Sequence, residues 1–410
     1  MNLASFIAWR VAFNQKKSFS RFIIRLATVA TAISVAVMII TFAFTSGFQQ
    51  TISRKVFSFW GHIRVQHYAP DKVAIAEELP ILKNDTVEQL LKSKEGVVAV
   101  QAFGTKNAIL KTAEAVEGVQ FKGVEKNYNF KHLGEYLQQG RWIAFPDSGY
   151  SNEIVLSEYT TSQLQLKLND QVLVYFVQAN GSPPRPRKLN IVGIYRSGVE
   201  EFDKLIAFGD LRLIQRLNDW NEKEIGGYEL FLQDYTKMED ISFDILAELP
   251  VEWKSRTTQE LYPHIFDWLN LQNKTIAIVL IIMIIVASLN LITCLIILVL
   301  ERTRMVGILK ALGSPDGKIQ KIFLIHGSII TVLGILIGNI IGVFLCWLQQ
   351  EYGFISLPEE MYYISTVAVN LEWWHILAVD IGTFIICFGI LLIPTLVVKR
   401  VRPVKAIQFR

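Results

Sequence analysis

The sequence predicts an α-helical membrane protein with four transmembrane helices and a large extracytoplasmic α+β domain inserted between helices 1 and 2. Three observations carry that prediction. Of the 410 residues, 51% are hydrophobic, and they gather in four long runs instead of spreading along the chain. Each run reaches the roughly 20 residues that a helix needs to cross a bilayer. The polar stretch between the first two runs, residues 48–271, is long enough to close a core of its own. Lys and Arg are distributed unevenly among the short connections, and that bias sets the orientation.

Residues 1–21 are expected to form a cytoplasmic amphipathic helix and residues 22–47 the first crossing. The first run exceeds the roughly 7–15 apolar residues of a cleavable signal, and no small-x-small site follows it. Ahead of it, "FIAWRVAFNQKKSFSR" mixes large apolar side chains with Arg10, Lys16, Lys17 and Arg21. That mixture fits an interfacial helix and a plain positive anchor equally well.

The external domain, residues 48–271, reads as short strands with helices interspersed. "HIRVQ", "GVVAVQAFG", "NAILKTAEAVEGVQFKGV" and "YELFLQ" have the β-branched enrichment and glycine punctuation of strands. Helices are expected near Thr86, in "SEYTTSQLQLKL", in "GDLRLIQRLN" and in "KMEDISFDILAEL". "DQVLVYFV" and "KLNIVGIY" alternate as paired strands, joined by "QANGSPPRPRK". In that joint Asn180-Gly181 is a hairpin signal, because a type I′ turn needs positive φ at both central residues. Pro183, Pro184 and Pro186 stiffen the outgoing arm, and Arg185, Arg187 and Lys188 make it basic. A solvated loop and a protruding recognition arm are both compatible with this composition.

Residues 272–300 form the expected second crossing, 301–321 a cytoplasmic connection and 322–348 the third crossing. A short external loop, 349–373, leads to the fourth crossing at 374–398 and a cytoplasmic tail at 399–410. The 301–321 connection carries Arg302, Arg304, Lys310, Lys318 and Lys321, and the tail is also basic. The 349–373 loop has no Lys or Arg and carries glutamates. Both termini are therefore expected in the cytoplasm and the large domain outside.

Inside the third run Gly334, Gly338 and Gly342 recur every four residues and so share one helix face. A face without side chains lets another backbone approach closely. Asp380, near the outer end of the fourth run, has no evident partner in the sequence and reads as interfacial before it reads as part of a transport path. Cys294, Cys346 and Cys387 lie in membrane runs, which leaves no disulfide framework and no metal spacing.

The basic connection has more architecture than an anchor requires. Met305, Ile308, Leu309 and Leu312 fall at i, i+3, i+4 and i+7, one apolar stripe on a short helix. Gly313 can supply the left-handed position that ends it. Ser314 then suits an N-cap, Pro315 the first helical position and Asp316 the positive end of a new helix. "GSPDGKI" is not a phosphate loop, since its glycine spacing is short and Ile319 stands where a Ser or Thr would hold magnesium. No HExxH, nucleophile elbow or pair of carboxylates in a pocket context is visible, so catalysis is not expected of this chain.

"ERTRMVGILKALGSPDGKIQKIF" resembles the signature of FtsX-like permeases, the membrane subunits of ABC systems that include MacB and the lipoprotein-releasing permeases LolC and LolE. "GFQQTISRKVFSFWGHIRVQ", "FDWLNLQNKTIAIVLIIMIIVASLN" and the ending "IPTLVVKRVRPVKAIQFR" are similar to the LolC/LolE branch. The resemblance implies that Arg302, Arg304, Met305, Val306, Gly307, Ile308, Leu309, Lys310, Ala311, Leu312 and Gly313 form a coupling helix that docks on a separate cytoplasmic ATPase (LolD-like). The family commonly has an acidic residue where Met305 stands, which implies a more apolar interface here. It implies that the hairpin with Asn180, Gly181, Pro183, Pro184, Arg185, Pro186 and Arg187 corresponds to a hook for a periplasmic lipoprotein carrier (LolA-like).

The implied function is the permease subunit of a lipoprotein-releasing machine in a bacterial inner membrane, working by mechanotransmission. ATP and magnesium would be bound by the partner ATPase, with no cofactor in this chain. The other implied partners are a second permease copy or paralogue, a lipoprotein substrate and membrane lipids; no nucleic acid is expected. A MacB-like efflux subunit and an FtsX-like scaffold that controls a cell-wall hydrolase are the alternatives the resemblance leaves.

Overall fold

The structure is a computed structural model that describes residues 19–68, 79–178 and 182–395. The expected N-terminal amphipathic helix, the Asn180-Gly181 turn and the basic tail lie wholly or mostly outside the described residues. The chain forms two compact units. One comprises residues 1–50, 269–356 and 366–410, the other residues 51–268 and 357–365.

The second, external unit opens with the end of α1 (Phe19–Trp60), followed by β1 (Ile63–His67), β2 (Ile81–Leu82), α2 (Asp85–Ser93), β3 (Val97–Lys111) and β4 (Val116–Val124). Then come β5 (Leu137–Gly140), β6 (Glu153–Ser157), α3 (Glu158–Gln163), β7 (Gln171–Phe176) and β8 (Arg185–Tyr195). They are followed by α4 (Glu200–Leu205), β9 (Ile206–Asp210), α5 (Leu211–Leu217), β10 (Glu224–Ile225), β11 (Gly227–Leu232), α6 (Met238–Leu246), β12 (Trp253–Thr257) and α7 (Thr258–Leu261). Ten strands form one sheet in the order β12-β1-β11-β3-β4-β9-β6-β8-β5, with β7 paired to both β3 and β8. The pairs β4–β9 and β6–β8 are parallel, and helices bridge between distant strands to make them so. β7 and β8 form the expected antiparallel pair, with Phe176 opposite Arg185.

The period-2 alternation of these strands turns Phe121, Leu156, Val174, Phe176 and Ile191 into a common core, which α5 closes with Leu213, Ile214 and Leu217. One charged cluster is buried on the opposite face of β4. Lys122 Nζ lies 2.7 Å from Glu229 and donates to the carbonyl of Phe59 at 2.5 Å. Arg64 stacks 3.8 Å above the Trp60 ring. Charges this deep are tolerable only when paired, so the cluster ties β4 and β11 to the end of α1.

Among the described residues, the membrane unit has four helices long and apolar enough to cross a bilayer. They are α1, α8 (Pro263–Glu301), α10 (Asp316–Tyr352) and α12 (Trp373–Thr395); between α8 and α10 lies the short α9 (Thr303–Ala311). The expected boundaries at residues 48 and 271 fall inside α1 and α8, each of which contributes residues to both units. The glycine face of α10 packs on α1. A Cβ on Gly338 would lie 2.7 Å from the Ala32 carbonyl and the Val35 Cβ, and one on Gly334 would lie 2.8 Å from Thr31. At Gly342 the nearest atoms, in Ile39 and Ala36, are slightly farther off, at 3.2–3.3 Å. Small residues on one face therefore set the helix separation.

Asp380 has a partner after all: Asn339 Nδ2 on α10 donates to its Oδ2 at 2.8 Å, joining α10 to α12. The two residues are far apart in sequence, which is why their pairing was not visible there.

Candidate functional site

The segment between the second and third spans is a rigid helical knob. α9 begins at Thr303, whose hydroxyl donates back to the carbonyl of Leu300 at 2.6 Å and so binds the short helix to the end of α8. It ends at a Schellman motif. Gly313 has φ +84, its N–H donates to Lys310 O at 3.0 Å, and the Ser314 N–H donates to Leu309 O at 3.0 Å. Gly313 thus does what its place in the sequence suggested.

The start of the next helix differs from the expectation by one residue. Pro315, with ψ 148, occupies the N-cap position and Asp316 the first helical position. Ser314 lies one position before the cap, and its N–H closes α9. The Asp316 carboxylate instead meets Lys310 Nζ at 2.9 Å.

The apolar stripe divides. Val306 and Gly307 are buried, and Met305 and Leu309 pack on a cluster formed by Leu295, Leu298, Ile319 and Phe323. Ile308 is 45% exposed and Leu312 78% exposed. Arg304 and Ala311 are exposed beside them, and Arg302 is half-buried at the helix entrance. At about 100° per residue, Arg304, Ile308, Ala311 and Leu312 cover one continuous arc, Val306 lies opposite it, and Met305 and Leu309 fall between the two. The knob therefore uses half of its apolar side chains to hold itself on the helices and presents the other half. A stripe of four apolar residues could not reveal that division, since both sides of it are apolar.

The basic arm of the external domain is less free than its composition suggested. Arg185 Nη1 donates to Leu217 O at 2.9 Å and Nη2 to Asp219 at 3.0 Å, which holds the Asp219 carboxyl below its usual range. Arg187 donates to its neighbouring Pro186 carbonyl at 2.8 Å. Both arginines line an open cleft of about 1470 Å³ shared with Arg212, Arg216 and Trp220. Pro183, Pro184 and Lys188 are exposed. The knob belongs to the membrane unit and the arm to the external unit.

Comparison with known proteins agrees with this arrangement. The MacB-like periplasmic core domain matches residues 26–245, and the FtsX-like permease C-terminal domain matches residues 277–403. The chain is 22% identical over 409 residues to the lipoprotein-releasing system transmembrane protein LolC of Xylella fastidiosa (strain 9a5c), covering 96% of each. It is 22% identical over 423 residues to the corresponding LolE of Haemophilus influenzae, covering 100% of each. The crystal structure of the periplasmic region of MacB from Actinobacillus actinomycetemcomitans is 13% identical, covers 50% of this chain and 91% of its own, and has a TM-score of 0.35. With the MacB-like core spanning more than half of its length and the FtsX-like region its later spans, the chain belongs to the FtsX-like, MacB-type family of membrane permeases.

Proposed function

We propose that this chain is the permease subunit of an ATP-driven machine that releases lipoproteins from the inner membrane of a Gram-negative bacterium. The observation that carries the reading is the exposed arc of Arg304, Ile308, Ala311 and Leu312 on a knob held rigidly at both ends. Such a face can be pushed on from outside and can pass the push to the second and third spans without bending. Its fit is to a groove of a separate cytoplasmic ATPase, which binds ATP and magnesium. Burial of Leu312 there is worth up to roughly 1.5–3 kcal/mol, the usual gain for a large aliphatic side chain, and that of Ile308, already more than half buried, about half as much.

In this reading both termini and the knob are cytoplasmic and the external unit is periplasmic, as the Lys and Arg distribution supports. Four crossings form half of a two-fold assembly, completed by a second copy or a paralogue. ATP-driven movement of the knobs tilts the spans and shifts the external domains, which expel the acyl chains of a lipoprotein toward a soluble carrier. Similarity to LolC and LolE over nearly the whole chain supports lipoprotein release over the efflux and scaffold alternatives. The test is co-purification with the cognate ATPase, reconstitution in vesicles, and measurement of lipoprotein release with and without carrier. Release that depends on both ATP and carrier is expected. An assembly that hydrolyses ATP but leaves every lipoprotein in the vesicles would overturn the reading.

A further inference from the structure

The connection between the third and fourth spans is divided between the two compact units. Its base belongs to the membrane unit. The Gln349 side chain donates to the carbonyls of Ile355 at 3.3 Å and Val367 at 3.1 Å and accepts from the Ile355 N–H at 3.0 Å. Its tip, residues 357–365 with the single turn α11 (Glu359–Tyr362), belongs to the external unit.

The external unit holds that tip in a seat built largely by its own hydrogen bonds. Asp203 accepts from Ser197 N at 2.9 Å, Ser197 Oγ at 2.8 Å and Gly198 N at 3.0 Å, which fixes the loop after β8. Lys55, on α1, donates to the Ser197 carbonyl at 2.6 Å and to the Tyr363 carbonyl of the tip at 2.8 Å. Arg196 pairs with Glu359 of the tip and with Glu158 at 3.3 Å. The Tyr363 ring stands edge-on to Trp268 of α8 at 5.9 Å, and Ile364 is buried.

Gly198 is the floor of the seat. Its φ of +73 suits glycine, and a Cβ there would fall on the Glu359 carboxylate and 2.8 Å from Lys55 Nζ. Three kinds of contact therefore converge on nine residues: charge pairing, donation from a half-buried ammonium to backbone carbonyls, and a glycine cradle. An ordinary surface loop of this length is not expected to need them.

We propose that the tip is a latch, a strap fixed at both ends to the third and fourth spans and gripped by the external unit through Lys55, Arg196 and Gly198. Displacement of those spans reaches the external domain through this strap, in addition to the continuous helices α1 and α8. The transport consequence rests on the lipoprotein-release reading; the docking itself does not.

Hydrogen–deuterium exchange on the full chain in lipid nanodiscs tests the docking. In Glu359→Lys, which sets a cation against Arg196 and Lys55, protection of the backbone amides of residues 357–365 should fall at least about tenfold, as for a locally opened segment. Gly198→Ala should do the same without changing any charge. The exchanged pair Arg196→Glu with Glu359→Arg should restore protection, which separates a latch from general unfolding. Wild-type protection in both single variants would overturn the proposal. In the reconstituted assembly, Glu359→Lys should hydrolyse ATP normally while lipoprotein release falls about tenfold, in line with loss of a positioning contact. Undiminished release from a variant with an open tip would overturn the transmitting role. If the wild-type assembly releases nothing, the functional reading fails while the exchange result still decides the docking.

Discussion

Lys310 Nζ lies 2.9 Å from Asp316 Oδ1, across the break between the short knob helix and the third span. The Lys310 side chain is only 11% exposed, so this pair is better shielded than most surface ion pairs. Together with the Schellman turn at Gly313 it makes the knob and α10 one mechanical piece. A load on Leu312 is therefore felt by the third span.

The two sides of the knob should respond differently to a charge. Ile308→Glu and Leu312→Glu are expected to keep the wild-type melting temperature and lose the ATPase, because each puts an unpaired carboxylate into an interface. The expected cost is about 2–3 kcal/mol of binding. Leu309→Glu should instead lower stability, since Leu309 packs on the membrane cluster. Pull-down and thermal melting of all three distinguish these outcomes. If Leu309→Glu melts normally and only loses the ATPase, the division of the helix is wrong.

Gly338→Leu should prevent α10 from seating on α1. Backbone and side-chain atoms already stand 2.7 Å from the first added carbon, so the helices must separate, at a cost of at least about 1–3 kcal/mol. Gly382→Ala is the control, because nothing lies within 4 Å of a Cβ at that position. A Gly338→Leu protein that melts like Gly382→Ala would show that the face tolerates bulk.

His62 should make the protein acid-sensitive. Burial, and the nearby His132, push its pKa from 6.5 down to about 4. Its neutral ring accepts the Leu232 N–H at Nδ1, 3.1 Å away, and stacks on Phe57. The folded state thus favours the neutral form, and its contribution is whole above pH 6.5 and is lost as the pH falls toward 4. That loss amounts to about 3 kcal/mol. His62→Gln should abolish it, so the stability difference between wild type and variant should shrink steadily across this window. A difference independent of pH would contradict the assignment.

The basic arm should matter to release but not to hydrolysis. Replacing Pro183–Arg187 with a glycine-serine linker removes a stiffened segment and the Arg185–Asp219 anchor. A partner would then have to order the segment on binding, at an entropy cost. Carrier-dependent release in vesicles should drop while ATP hydrolysis stays at its wild-type rate. Release at full rate would return the segment to the role of a solvated loop.

The sequence by itself determined the four spans, the inserted α+β domain, the β7–β8 pair, the glycine face and the end of the knob helix at Gly313. All of these follow from local composition or from a short period. Strands β6 and β9 were not legible, because "EIVLS" and "IAFGD" are too short to show a period and each is paired across the sheet with partners distant in sequence. Which side of the knob is presented, which residue meets Asp380, and that residues 357–365 belong to the external unit were decided only by tertiary structure. An apolar stripe or a lone carboxylate states that a neighbour is needed. Only the packing of elements far apart along the chain determines which neighbour that is, because burial rewards any complementary surface and pairing depends on where the backbone delivers it.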